Sequence, residues 1–302
     1  MLFVVIAYFA HVTENMLIAY IIKDTGPYLY IPLSYILSTI WVFSYERGLR
    51  FKTGKKNPDW NLIFSHKGPL VSYIGGAFIG NALWFFSLYL IGIGTVSFIL
   101  VFIRLFVAIY AYLFMGDRYP ADKIVAFATA FVALIFYSYN GLEENFLGIA
   151  LALVSCLGFS AETIGKKKLA LSGLRPESLV FWRYFTLAIL FCLSFLVFQT
   201  LQLIPSDMLE TPSPFTFLLI FFACFLGSVG TNIVLFYGLK TIPLSTLEAL
   251  NTTKPVLFSI LGILMLNETI TSHQILWGMV IVLSSLYFVL PGFGKVRQKL
   301  KK

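Results

Sequence analysis

Apolar residues run in long blocks along this chain, and polar residues gather in the stretches between them. Blocks near 2–22, 28–45, 69–91, 94–115, 122–140, 146–165, 178–200, 215–239, 243–266 and 273–291 approach the length of a bilayer-crossing helix, about 20 residues. The pattern predicts an all-α integral membrane protein with ten transmembrane helices. The connections are mostly short, and no low-complexity tract or Ser/Gly linker separates a soluble domain.

The pattern also repeats. A shift of 151 places Asn81 on Asn232, Phe85 on Phe236, Thr95 on Thr246 and Asp117 on Glu268, with no gap between Asn81 and Tyr137. This predicts a first five-helix repeat over 1–142, a second over 143–292 and a basic tail over 293–302. An odd number of helices per repeat makes the second enter from the opposite side. Inverted repeats of this kind place a binding site near the bilayer midplane, between the halves.

Composition agrees. The chain is 59% hydrophobic and 12% charged, against roughly 25% charged for soluble domains. The net charge of +8 does not point to nucleic acid, because the basic residues lie in short loops. Of the 22 Lys and Arg, 18 fall in one set of alternating loops plus the tail, Lys23 falls opposite, and three lie inside spans. The positive-inside rule then puts both termini in the cytoplasm, and the location expected is the cell inner membrane. His11 and Glu14 interrupt the first apolar run, so it is expected to be a retained helix rather than a cleaved leader. Cys156, Cys192 and Cys224 lie within spans without metal-ligand spacing and read as buried thiols.

Charges inside a span are costly and mark functional sites. Arg104 and Lys254 stand 10 and 11 residues into their predicted spans, in near-equivalent places of the two repeats. Both could face a central cavity and hold a carboxylate or phosphate; the alternative is ion pairing with Glu14 or Glu162 that only fixes packing. Glu14 and Glu162 are themselves matched in helices 1 and 6. Each could hold a substrate ammonium, carry a coupling proton or neutralise the cations. His11 is three residues from Glu14 on the same face and is either a proton relay or a helix-contact histidine. Arg183 is shallow enough to snorkel. Glu248 is a gate or surface residue near the inner end of helix 9. Asn81 and Asn232 are matched, and either line the cavity or bond between helices. Trp84, Phe85, Phe236 and Tyr237 could wall the cavity or face lipid.

Pro243, Ser245, Pro255, Gly262, Glu268, Thr269, Gln274 and Gly278 together resemble the second repeat of the EamA branch of the drug/metabolite transporter superfamily. Phe181-Trp182-Arg183-Tyr184 resembles the start of that family's seventh helix. The first repeat departs from the pattern, with Arg104 or Leu105 where Pro255 would fall and no counterpart of Arg183 in the helix around Ser34. The resemblance implies a transporter fold and a structural or gating role for Arg183.

The function expected is secondary transport of a small polar metabolite by alternating access. Substrate contacts are expected at Glu14, Arg104, Lys254, Asn81, Asn232, Trp84 and Tyr237, and coupling or gating at His11, Glu162, Arg183 and Glu248. The substrate class expected is an amino acid or an amino-acid-containing metabolite such as S-adenosylmethionine. The alternative is antiport of a nucleotide sugar, sugar phosphate or other organic anion. An integral-membrane enzyme would need clustered Asp, His or Ser residues, and no Asp falls in the interior of a predicted span. A non-transporting scaffold would need no cavity. No P-loop is present, so ATP does not drive transport directly. No cofactor, metal or nucleic acid is expected. The partners expected are the substrate, the lipid bilayer and a coupling proton or counter-substrate, with the chain a monomer or weak homodimer.

Overall fold

A computed structural model describes residues 2–53, 64–115, 121–139, 142–204, 211–241, 251, 253–269 and 271–289. Among them the regular elements are helices: α1 (Leu2–Thr25), α2 (Pro27–Thr53), α3 (Lys67–Ile99), α4 (Phe102–Met115), α5 (Ala121–Tyr139), α6 (Leu142–Leu171), α7 (Pro176–Thr200), α8 (Pro214–Phe225), a π-helical segment (Leu226–Ile233), α9 (Val234–Thr241), α10 (Lys254–Leu266) and α11 (Ser272–Val289). Val5–Lys23, Lys67–Ile99, Phe146–Leu171, Pro176–Thr200 and Pro214–Tyr237 are each long and apolar enough to cross a membrane. Such helices suit a bilayer because they satisfy their own backbone hydrogen bonds.

The most extensive contact joins α3 to α6. Glycines allow it. A methyl group at Gly158 would come within 2.5 Å of the Gly80 nitrogen, and one at Gly76 within 2.5 Å of the Glu162 nitrogen. Backbones this close gain dispersion contacts along the whole pair, the packing mode that serves where apolar solvent removes the hydrophobic drive. Two hydroxyls pin the register: Ser72 donates to the Ala161 carbonyl at 2.7 Å and Ser87 to the Gly148 carbonyl at 2.8 Å. The other main pairs are α2 with α7, α1 with the π segment, and α5 with α11.

The sequence pattern predicts unbroken helices through Arg104 and Lys254, and here the structure differs. α3 runs on to Ile99 across a kink at Gly92, whose φ of 73° lies in the left-handed region that glycine tolerates. The chain then turns at Leu100–Val101 before α4 starts. Arg104 therefore sits in the first turn of α4, not at mid-helix. Further along the chain Lys254 is the first residue of α10 and Pro255 the second. Proline lacks an N–H and is well placed at a helix start, so Pro255 begins a helix rather than bending one. Pro243, Ser245, Thr246, Glu248 and Asp117 lie outside the described residues.

Substituting Gly158 by leucine should destabilise the protein by about 1–3 kcal/mol or more, since overpacking forces the α3 and α6 backbones apart. Gly75→Ala, where an added methyl meets nothing within 4 Å, should leave stability within about 0.5 kcal/mol. Thermal unfolding of the two variants in detergent checks the contrast.

Candidate functional site

A cavity of about 280 Å³ lies at the centre of the bundle, lined from α1, α2, α3, α4, α6, α7, α8, the π segment, α9 and α10. α5 and α11 add no described residue to its wall. The wall is charged: His11, Glu14, Arg104, Glu162, Lys166, Arg183 and Lys254 all reach it.

α1 contributes one face, with Ala7, His11, Glu14 and Ile18 at helical spacing. His11 Nδ1 lies 3.1 Å from the Glu14 carboxylate, and the Asn15 amide lies 3.1 Å from His11 Nε2. With Asn15 donating to Nε2 and Nδ1–H donating to Glu14, the contacts fit a neutral imidazole. The Glu14 carboxylate presses on Gly227, where a Cβ would collide with it. Gly227 belongs to the π segment, whose widened turn lets the Asn232 amide donate to the Gly227 carbonyl at 2.9 Å. Such segments recur at functional sites because they aim groups that a regular turn would misplace.

Opposite stands an ion network. Arg183 Nη2 lies 2.9 Å from Glu162 Oε1, and Lys166 Nζ lies 3.7 Å from the same oxygen. Lys166 also donates to Asn232 Oδ1 at 3.1 Å, and Asn232 donates to the Tyr184 hydroxyl at 2.8 Å. Arg183 stacks over Tyr184 and Tyr73, at 5.0 and 5.8 Å from the ring centroids. Buried charges are tolerated when paired and hydrogen-bonded in this way.

The third feature is a pair of helix starts. Arg104 and Lys254 bring their charges to the cavity from the first turns of α4 and α10. A helix start carries a partial positive charge, so each cation adds to a dipole already suited to an anion, although at α4 the Ile103 and Arg104 N–H groups donate to the Leu100 and Val101 carbonyls. Lys254 Nζ lies 5.5 Å from the centroid of the Tyr8 ring, and the Tyr8 and Thr253 hydroxyls are 2.7 Å apart. The break before α4 leaves carbonyls that α6 partners: Cys156 donates to Ile99 at 3.5 Å and Ser160 to Ile103 at 3.0 Å.

Of the residues singled out from sequence, His11, Glu14, Asn81, Trp84, Phe85, Arg104, Glu162, Arg183, Asn232 and Lys254 meet at this cavity. Asn81 also donates to the Ala77 carbonyl at 2.6 Å. Tyr237 is not in the wall; it is 44% exposed and donates to Glu177. Phe236 is buried against Tyr73. Glu248 lies outside the described residues. Arg183 does not snorkel. It is 5% exposed because Glu162 on the neighbouring α6 balances its charge. That pairing also corrects the expectation that Glu162 might serve Arg104 or Lys254. Lys166, which the loop count assigns to the cytoplasmic edge, lies within α6 and faces the cavity. The tyrosines Tyr8, Tyr30 and Tyr35 carry no signal in a chain this aromatic, and they line the wall as well, as does Tyr184 of the motif that starts at Phe181.

Breaking the network from one side should be costly. Glu162→Gln removes the carboxylate nearest Arg183 and should lower stability by about 3–5 kcal/mol. The double variant Glu162→Gln/Arg183→Gln should recover part of that loss. A double-mutant cycle on thermal or denaturant unfolding reads the coupling.

No curated protein matches this sequence. Among solved structures, one titled "Crystal structure of protein" superposes with a TM-score of 0.64, covering 100% of this chain and 98% of its own at 14% identity. The fold is therefore shared from end to end, while the identity is too low to carry a function. Residues 146–290 match the EamA-like transporter family. That match takes in α6, α7, the π segment and α10, and with it the Glu162–Arg183 pair and Lys254. On this evidence the chain is a multi-pass membrane protein whose residues 146–290 match the EamA-like transporter family, part of the drug/metabolite transporter superfamily.

Proposed function

We propose that this protein is a secondary transporter that moves a small polar metabolite by alternating access through ten transmembrane helices in two inverted five-helix repeats. The observation that carries the reading is the pair Arg104 and Lys254. Each stands at a helix start, in near-equivalent places of the two repeats, on the wall of one cavity. The helix pairing supports the inverted repeat. Advancing each helix by one repeat turns the α3–α6 contact into the contact of α8 and the π segment with α1, and maps α2–α7 and α5–α11 onto themselves. The basic bias of alternate loops supports cytoplasmic termini, and the location we propose is the cell inner membrane; Lys166 leaves the loop count without altering the bias.

The substrate class we propose is an amino acid or an amino-acid-containing metabolite such as S-adenosylmethionine. Its carboxylate would meet Arg104 and Lys254, whose guanidinium and ammonium suit a planar anion in different ways. Its ammonium would meet Glu14, with Tyr30 and Trp84 in the same wall to add cation–π attraction. Asn81 and Asn232 would supply polar contacts. Glu162 and Arg183 would hold the network that the moving halves share, and the driving partner would be a proton or a counter-substrate. The alternative is antiport of a nucleotide sugar or other organic anion. The cavity volume favours the smaller ligand, since 280 Å³ falls just below the span of small-molecule pockets, about 300–1,000 Å³.

Arg104→Gln and Lys254→Gln should each lower substrate affinity about tenfold or more, because a hydrogen bond to a charged group contributes about 1.5–3 kcal/mol. Folded yield should stay usable. Uptake of a mixed amino-acid pool into proteoliposomes, with a thermal-shift control, tests this. Normal transport by both variants would remove the central-anion reading.

Glu14→Gln separates three roles. If Glu14 binds an ammonium, as we favour, net uptake and counterflow should both fall as affinity falls. A proton-coupling role would abolish net accumulation and spare exchange. Charge neutralisation alone would lower stability and leave the affinity of the folded fraction unchanged. Intact exchange at normal affinity in Glu14→Gln proteoliposomes would reject ammonium binding.

A further inference from the structure

Toward the turn between α1 and α2, the cavity wall ends at Ile18, Tyr30, Trp84, Ser97 and Phe258. One to two turns further along the same helices come Ile21, Ile22, Leu88, Ile93 and Leu266, with Val96 next to Ser97. Each is at most 5% exposed, and all belong to one apolar cluster. This end of the cavity is sealed by packed hydrocarbon.

A single carboxylate fastens across the seal. Glu268 follows α10, in the turn where Asn267 takes a left-handed conformation. Its two oxygens accept from the amides of Ile93 and Gly94, at 2.8 and 2.9 Å. Those amides are free to donate because the kink at Gly92 has interrupted the α3 ladder above them. Charge-assisted bonds of this kind are roughly twice as strong as neutral ones, and the helix start adds its dipole. The slot is built for the group. A methyl at Gly92 would come within 2.6 Å of one carboxylate oxygen, and one at Gly262 within 2.7 Å of the other. Lys23 donates to the Leu266 carbonyl at 2.8 Å, which holds the end of α1 to the same turn.

The carboxylate thus joins, outside the cavity, two elements that also meet inside it. One is α10, which starts at Lys254. The other is the stretch from Ile93 through Ser97 to Arg104. On the transporter reading above, we infer that Glu268 is the removable latch of the seal at this end. Seated on the Ile93 and Gly94 amides, it keeps α10 against residues 93–99 and the passage shut. Withdrawn, it lets α10 part from that segment. The exchange is reversible because Glu268 lies on a turn whose neighbours Asn267 and Thr269 are exposed. Water entering the opened passage can then hydrate both the carboxylate and the two amides, so neither is left buried and unsatisfied.

The test needs no substrate, so its outcome is independent of whether the cavity takes an amino acid. Val96, fully buried in the seal, is replaced by cysteine after Cys156, Cys192 and Cys224 are changed to serine. Maleimide reaction at position 96 is followed in nanodiscs with Glu268, Glu268→Gln or Glu268→Asp, and amide exchange is followed by mass spectrometry. The latch requires that Glu268→Gln raise both the reaction rate and the exchange of residues 93–97 by about tenfold, the factor for about 1.4 kcal/mol. Protection across Gly76–Trp84 should stay unchanged. Glu268→Asp, which keeps the charge on a shorter arm, should fall between. Unchanged labelling and exchange in both variants would overturn the inference. So would loss of protection across Gly76–Trp84 in both, because Glu268 would then be a clamp on folding rather than on a passage.

Discussion

A helix interrupted inside an apolar bundle exposes backbone groups that no water can satisfy, and this structure depends on how it answers that constraint. Each interruption has an assigned side chain. Glu268 takes the amides after the kink at Gly92. Cys156 takes the Ile99 carbonyl before the break at Leu100–Val101, and Asn232 takes the Gly227 carbonyl inside the π segment. Glu268 and Cys156 come from segments distant in sequence, so those two interruptions hold only when the bundle is assembled, whereas Asn232 answers the π segment from within it. The cavity exists because the interruptions do. Unbroken helices would carry Arg104 and Lys254 along their sides. Broken ones present them at helix starts, where backbone and side chain favour the same charge.

The acidic residues divide by what surrounds them. Glu162 is held by Arg183 and Lys166 on a wall built from α6 and α7. Glu14 has the His11 ring and a glycine backbone for neighbours. A carboxylate without a fixed cation beside it is the better placed of the two to accept a cationic group from outside. The sequence match between Glu14 and Glu162 hides this difference, because the repeat conserves position while each neighbourhood is set by the opposing helices.

Much of the fold was legible because its signals are long. The apolar blocks overlie the helices, although α2 and α3 each run eight residues past their blocks and α10 starts eleven residues into its own. The central cations were legible for the same reason, as rare charges in long apolar blocks. What stayed hidden was local. Pro255 advertises an interruption beside Lys254, but the matching break at Leu100–Val101 contains neither proline nor glycine. Nothing at those residues announces it; the side chains that meet its flanking carbonyls lie in α6. Arg183 was misplaced because counting residues from a helix end gives depth and says nothing of a partner on the next helix. Lys166 was drawn to the edge by its neighbours Lys167 and Lys168, though only one face of α6 meets the cavity. Tyr237 failed for the opposite reason: in a chain that is 17% aromatic, residue type cannot separate a wall from a lipid-facing surface.

The placement of the breaks bears on how the two halves could move together. Residues 93–99 are held at one end by Glu268 and lead at the other into the turn before Arg104. α10 begins at Lys254 and ends at the turn that supplies Glu268. A displacement of α10 along this segment would therefore be felt at both ends. On the proposed reading, an anion drawn between Arg104 and Lys254 would pull together the elements whose far ends Glu268 joins, and the closely packed α3–α6 pair would limit how far residues 93–99 yield. Because packed helices shift between discrete arrangements rather than deform smoothly, the carboxylate contact and the occupancy of the cavity are poised to change in step. Such coupling needs no signalling path through the core. It follows from the same two short elements forming the binding wall at one end and the fastening at the other.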